Sequence, residues 1–138
     1  MDNLQVLEGL RVLVVDDNPD NLELIQFILE QHNVQVTVVT SAHEALSTIT
    51  LLKPNILISD IGMPIEDGYS LISKIRNLTQ QVRQIPAIAL TAHASIESRN
   101  LALDTGFSTY LAKPFDPDEL IAVASNLAVE HKIYAEKV

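Results

Sequence analysis

Arg11-Val12-Leu13-Val14-Val15-Asp16-Asp17 is a short, β-branched apolar run that stops on two acids. Apolar residues without polar alternation read as a strand buried on both faces, the pattern of a parallel sheet covered by helices. Asn18-Pro19-Asp20-Asn21 follows. Asn18 can cap a helix and Pro19 suits its first position. Leu22, Ile25, Ile28 and Leu29 then recur at helical spacing. The same run ending on an acid returns at Ile56-Leu57-Ile58-Ser59-Asp60. If the two runs are neighbouring parallel strands, Asp16, Asp17 and Asp60 meet at one carboxyl edge, where open α/β sheets build their sites. Two unit charges ~4 Å apart repel by about 4 kcal/mol at an effective dielectric of ~20. A divalent cation is the simplest neutraliser of three such acids.

Outward from these two runs, strand-like and helix-like stretches alternate. Strands are expected at 11–16, 34–40, 56–60, 85–90 and 108–112. Ser41-Ala42-His43-Glu44 reads as a capping box before a helix with Ala42, Ala45, Leu46 and Ile49 on one face. Gly68, Leu71, Ile72 and Ile75 mark a third helical face after Asp67. Ser95 to Asp104 is a weaker, more polar helix that Gly106 can end. Asp116-Pro117-Asp118-Glu119 opens the last helix, whose inner face is Leu120, Val123, Ala124 and Leu127. Strict alternation implies parallel strands, right-handed crossovers and helices on both faces. The expected fold is α/β: one doubly wound five-stranded parallel sheet of order 2-1-3-4-5, flavodoxin-like. That order is taken from the known pattern for this class. One domain over residues 1–138 is expected, with its core at about 10–130, a short N-terminal lead and a charged tail from Glu130.

The composition narrows the function classes. The 138 residues carry a net charge of −9, which opposes a direct nucleic-acid partner because phosphate contact needs a basic face. Cysteine is absent, which removes disulfides and thiolate metal sites. Four scattered histidines lack paired ligand spacing. No apolar run approaches the ~18 residues of a membrane span, and the first ten residues lack the signature of a signal peptide. A cytoplasmic protein with no membrane partner is the expectation.

Two more polar residues close strands. Thr91 follows Ile88-Ala89-Leu90, and Lys113 follows Tyr110-Leu111-Ala112. In the order 2-1-3-4-5 their carboxyl ends join those of Asp16, Asp17 and Asp60. Carboxylates with Mg²⁺, a hydroxyl and an ammonium can surround a phosphoryl group, whose transfer depends on positioning and charge neutralisation. The central Asp60 can itself be the nucleophile. Each residue also has a plainer reading. Asp-Asp at a strand end is often a helix cap, Thr91 can cap the fourth helix, and Lys113 can be a solvated lysine before a turn. Their joint placement favours the chemical reading.

In this arrangement the sequence resembles the receiver domain of two-component response regulators over roughly residues 10–130. The resemblance rests on Val14-Val15-Asp16-Asp17, Asp60-Ile61-Gly62-Met63-Pro64 with Asp67-Gly68, Ala89-Leu90-Thr91-Ala92 and Lys113-Pro114-Phe115. It implies that Asp60 accepts a phosphoryl group from a histidine kinase or histidine phosphotransfer protein. It implies Mg²⁺ bound by Asp17 directly, by Asp16 through water, and by the Asp60 carboxylate and the Gly62 carbonyl. Few protein ligands with retained waters suit Mg²⁺ better than Ca²⁺. Thr91 and Lys113 would hold the phosphoryl oxygens, Thr91 and Tyr110 would form the switch, and the Lys113–Pro114 bond would be cis. The fourth helix, fifth strand and fifth helix would present the output surface to a downstream protein.

Gly62 and His93 are the positions that differ among receivers and bear on the lifetime of the phosphorylated state. A haloacid-dehalogenase-like phosphatase is the rival enzyme class, but it needs a second acid where Gly62 stands. A flavodoxin-like electron carrier is opposed by Asp-Asp where a phosphate-binding loop is needed. An inactive pseudo-receiver serving as a binding module is the third alternative. A stand-alone regulator and a receiver cut from a hybrid kinase fit the chain equally, and either acts through a partner.

Overall fold

The computed structural model describes residues 6–92 and 95–133. From Arg11 to Glu130, five strands alternate with five α-helices: β1 (Arg11–Val15), α1 (Pro19–Glu30), β2 (Gln35–Val39), α2 (Ala42–Leu52), β3 (Ile56–Asp60), α3 (Gly68–Arg76), β4 (Ala87–Thr91), α4 (Ile96–Thr105), β5 (Thr109–Ala112) and α5 (Pro117–Glu130). A 3₁₀ turn at Gln81–Gln84 precedes β4. The sheet order is β2-β1-β3-β4-β5 and every pairing is parallel. The doubly wound α/β fold read from the sequence is therefore the fold observed. The fourth strand begins two residues later than expected. The Ile85 N–H bonds back to the Val82 carbonyl at 3.0 Å, which ends the 3₁₀ turn there, and Pro86 brings no N–H to a ladder.

Successive side chains of each strand point to opposite faces, and this divides the core in two. Val12, Val14, Ile56, Ile58, Ile88, Leu90 and Leu111 pack under α1 and α5. Leu13, Val15, Leu57, Ala87 and Ala89 pack under α2, α3 and α4. Val6 and Leu7 are fully buried in the first of these clusters, and Ile133 packs against it. The core thus reaches further along the chain than residues 10–130.

The helix starts follow the local chemistry. Asn18 caps α1 through its side chain to the Asp20 N–H at 2.9 Å, with Pro19 at the first position. Ser41 caps α2, accepting from the Glu44 N–H at 3.1 Å. Glu44 reaches one residue beyond the expected capping box, to the Thr40 N–H at 3.2 Å. In α5 the Glu119 carboxylate accepts from the Asp116 N–H at 3.0 Å. Gly106, at φ 137°, ends α4 in a conformation that L side chains rarely adopt. Among the described residues no helix is long and apolar enough to cross a membrane.

Candidate functional site

The parallel register brings four strand ends together. Val15 pairs with Ser59, Asp60 with Leu90, and Thr91 with Ala112. Residues just past or at these positions therefore share one edge. Asp16 and Asp60 are buried there, and Asp17 is exposed at the rim. One carboxylate oxygen from each lies within 4.8 Å of the others.

Lys113 sits among these acids. Its Nζ donates to Asp60 Oδ1 at 2.9 Å and to Asp16 Oδ2 at 3.4 Å. Burial pulls the Lys113 pKa down. The hydrogen bond and charge of Asp60, and then Asp16, outweigh burial and leave it raised, so the ammonium stays protonated through the neutral range. The Lys113 N–H donates to the Thr91 carbonyl at 2.8 Å, which ties the lysine to the end of β4. The Lys113–Pro114 bond is cis, as the resemblance implies. Thr91 is buried at the same edge.

The three acids differ in how the protein holds them. Asp16 accepts from the Asn18 N–H at 2.9 Å and from the Asn21 amide at 3.2 Å, besides Lys113. Among the described residues Asp17 has no hydrogen bond or ion pair. One ammonium therefore faces three carboxylates, and the donor set is all oxygen, which fits a hard divalent cation. Oxygens on opposite sides of Mg²⁺ stand about 4.2 Å apart, twice the ~2.1 Å bond length, so the cluster is near the size required.

The loop after β3 carries two glycines, of which one is required by packing. A Cβ on Gly68 would stand 2.5 Å from the Asp60 carbonyl oxygen, so only glycine lets the start of α3 approach the end of β3. The Gly68 N–H bonds the Ile61 carbonyl at 2.9 Å in the same contact. Gly62 is exposed, with open space where a Cβ would be. Ile65, between them, has φ 70° and is fully exposed. Tyr110 is half-buried against the α2–α4 side of the core, and the Arg99 guanidinium lies 4.7 Å from its ring centroid. His93 lies outside the described residues.

The receiver-domain model of response regulators matches residues 12–125 of this chain. The chain belongs to the response regulator receiver domain family. It is 48% identical over 118 residues to an uncharacterized 14.6 kDa protein in the sodA1 3′ region of Leptolyngbya boryana, covering 86% of this chain and 89% of that one. It is 37% identical over 121 residues to the response regulator Rre1 of a Synechocystis strain, covering 87% of this chain. It spans 52% of the length of Rre1. Among solved structures it resembles a putative response regulator from Chloroflexus aurantiacus, with a TM-score of 0.83 and 31% identity, over 88% of this chain and 99% of that one. The receiver reading of the sequence thus holds, and the buried acid cluster fits a phosphoacceptor site in a two-component system.

The described site residues read from the sequence, Asp16, Asp17, Asp60, Gly62, Thr91, Tyr110 and Lys113, fall at this edge or on the strand beside it. Sequence reasoning missed Asn21, Gly68 as a close-packing residue, and the Arg99–Tyr110 stack. Only Asn21 left a trace. It stands five residues past Asp16 in the first turn of α1, where a polar side chain can reach back to the strand end.

Proposed function

We propose that Asp60 is the phosphoacceptor of this receiver domain, taking its phosphoryl group from a phosphohistidine on a histidine kinase or histidine phosphotransfer protein. The observation that carries this is the Lys113 ammonium, 2.9 Å from Asp60 at the centre of the acid cluster. With Oδ1 held by Lys113, Oδ2 is the attacking oxygen. Its lone pair forms the new O–P bond as the P–N bond to the donor imidazole breaks, and the imidazole keeps that electron pair. The product is a mixed anhydride on Asp60. Lys113 then donates to a phosphoryl oxygen, and the Thr91 hydroxyl donates to another.

Mg²⁺ is the proposed cofactor. When bound, it neutralises the acids and the charge on the transferring oxygens. Asp17 is the direct ligand by this reading, because among the described residues no protein donor competes for it. Asp16 holds the ion through water, because three protein donors already occupy its oxygens. Asp60 and the Gly62 carbonyl complete the protein's share.

Output follows from movement of Thr91 toward the phosphoryl group. Space opens beside β4, Tyr110 turns into it, and the α4–β5–α5 face changes its affinity for a downstream protein. The net charge of −9 suits a switch that binds proteins rather than nucleic acid, and the proposed location is the cytoplasm. Incubation with acetyl phosphate and Mg²⁺, followed by intact-mass measurement, tests the reading. A single added phosphoryl group that hydroxylamine removes is expected. No added mass rules out the phosphoacceptor role, and steady turnover of a small phosphate ester favours the phosphatase class.

A further inference from the structure

The α1 helix does not need Asn21 for its own start. Asn18 caps it, Asp20 receives that cap, and Pro19 has no N–H to satisfy. Asn21 is also a poor helix former in the middle of the first turn. Its side chain instead leaves the helix and donates from Nδ2 to Asp16 Oδ2 at 3.2 Å. That oxygen is shared with Lys113 at 3.4 Å, the longer of the two bonds the lysine makes. The other Asp16 oxygen is fixed by the Asn18 N–H at 2.9 Å. Asp16 itself is 1% exposed, so water does not replace a lost donor freely.

We infer that Asn21 is a positioning residue for the acid cluster. Its neutral amide keeps Asp16 oriented when Lys113 is drawn off toward the phosphoryl group on Asp60. A lysine or arginine here would hold Asp16 as well, but its charge would repel the incoming cation. A smaller or apolar residue would leave Oδ2 to Lys113 alone, so the lysine would be pulled between two acids. Asn21 thereby separates two tasks at one carboxylate: orientation, which the amide performs, and neutralisation, which is left to the cation and Lys113. Polar partners that orient ligating carboxylates are commonly worth 10–100-fold in metal affinity.

This inference rests on the proposal that the three acids hold Mg²⁺. Two variants test it, Asn21→Ala and the isosteric Asn21→Leu, because alanine alone leaves a gap. Mg²⁺ binding is followed by amide NMR titration and by calorimetry, and the metal-free melting temperature controls for folding. Both variants are expected to bind Mg²⁺ about ten-fold more weakly. The Mg²⁺ concentration that half-saturates acetyl-phosphate labelling should rise in step, while the rate at saturating Mg²⁺ stays within about three-fold of wild type. Variants that melt like wild type and bind Mg²⁺ within two-fold of it overturn the inference. So does a loss of rate that saturating Mg²⁺ does not restore. A wild-type protein that shows no Mg²⁺ response at all defeats the metal reading itself, which is a different outcome.

Discussion

Helices α3 and α4 flank β4 on the same face of the sheet, yet they are attached to it very differently. In nine residues α3 buries Gly68, Leu71, Ile72 and Ile75, and its first turn touches the Asp60 backbone. In ten residues α4 buries Ala102 alone and leaves Ile96, Leu101 and Leu103 exposed at 72%, 51% and 42%. Two arginines supplement that thin packing. Arg76 of α3 gives Nε and Nη2 to the Gly106 carbonyl at 3.0 and 2.8 Å, and Nη1 to the Arg83 carbonyl at 2.7 Å. Arg99 of α4 lies over Tyr110 of β5. Few buried apolar contacts mark an element of low local stability. The acid cluster is thus built on firmly packed elements, whereas the helix that carries Arg99 over Tyr110 is thinly packed.

The largest test of this contrast compares Ile72→Ala in α3 with Leu103→Ala in α4. Ile72 is fully buried, and its truncation should cost about 2–5 kcal/mol. Leu103→Ala should cost about 0.5 kcal/mol or less, as for other surface changes. Thermal or urea melts measure both, and similar losses would erase the distinction. Next comes Gly68→Ala. The added methyl must displace the Asp60 carbonyl, so a loss of about 1–3 kcal/mol is expected, with disturbed Asp60 and Ile61 amide resonances. A melt unchanged from wild type would mean that α3 can retreat from β3 at no cost.

How much of this was legible in the sequence depends on the range of the interaction. Parallel strands buried on both faces leave uninterrupted apolar runs, so β1 and β3 and their terminal acids stood out. Helix caps are local and were equally visible, as at Asn18, Ser41 and Asp116. The polar pattern of 95–104 also announced the weak attachment of α4. What stayed hidden was contact across the chain. Nothing near Gly68 in sequence says that the Asp60 carbonyl sits against it. Arg76 reads as an ordinary basic residue in a last helical turn, and its clamp on Gly106 lies 30 residues away. The 3₁₀ turn at Gln81–Gln84 has no buried residue and hence no apolar periodicity to betray it.

Smaller effects sharpen the comparison. Arg76→Ala removes three charge-assisted hydrogen bonds from a half-buried guanidinium whose pKa burial lowers. It should cost about 1–2 kcal/mol, and hydrogen exchange should quicken along α4 more than along α1. Uniform quickening would show that the clamp supports the whole domain rather than α4. Ile65→Gly should act in the opposite direction. A β-branched residue at φ 70° is strained and gains nothing from burial at this exposed position, so glycine should stabilise by up to about 1 kcal/mol. A destabilised Ile65→Gly would mean that glycine's extra freedom in the unfolded chain outweighs the strain.

The most direct measurement of the central proposal is the site of phosphorylation. Wild type and Asp60→Asn are incubated with acetyl phosphate and Mg²⁺, and intact masses are compared after a melt confirms that both are folded. The account predicts one added phosphoryl group on wild type and none on Asp60→Asn. Equal labelling of the two proteins, or a label that maps to Asp16 or Asp17, would contradict it.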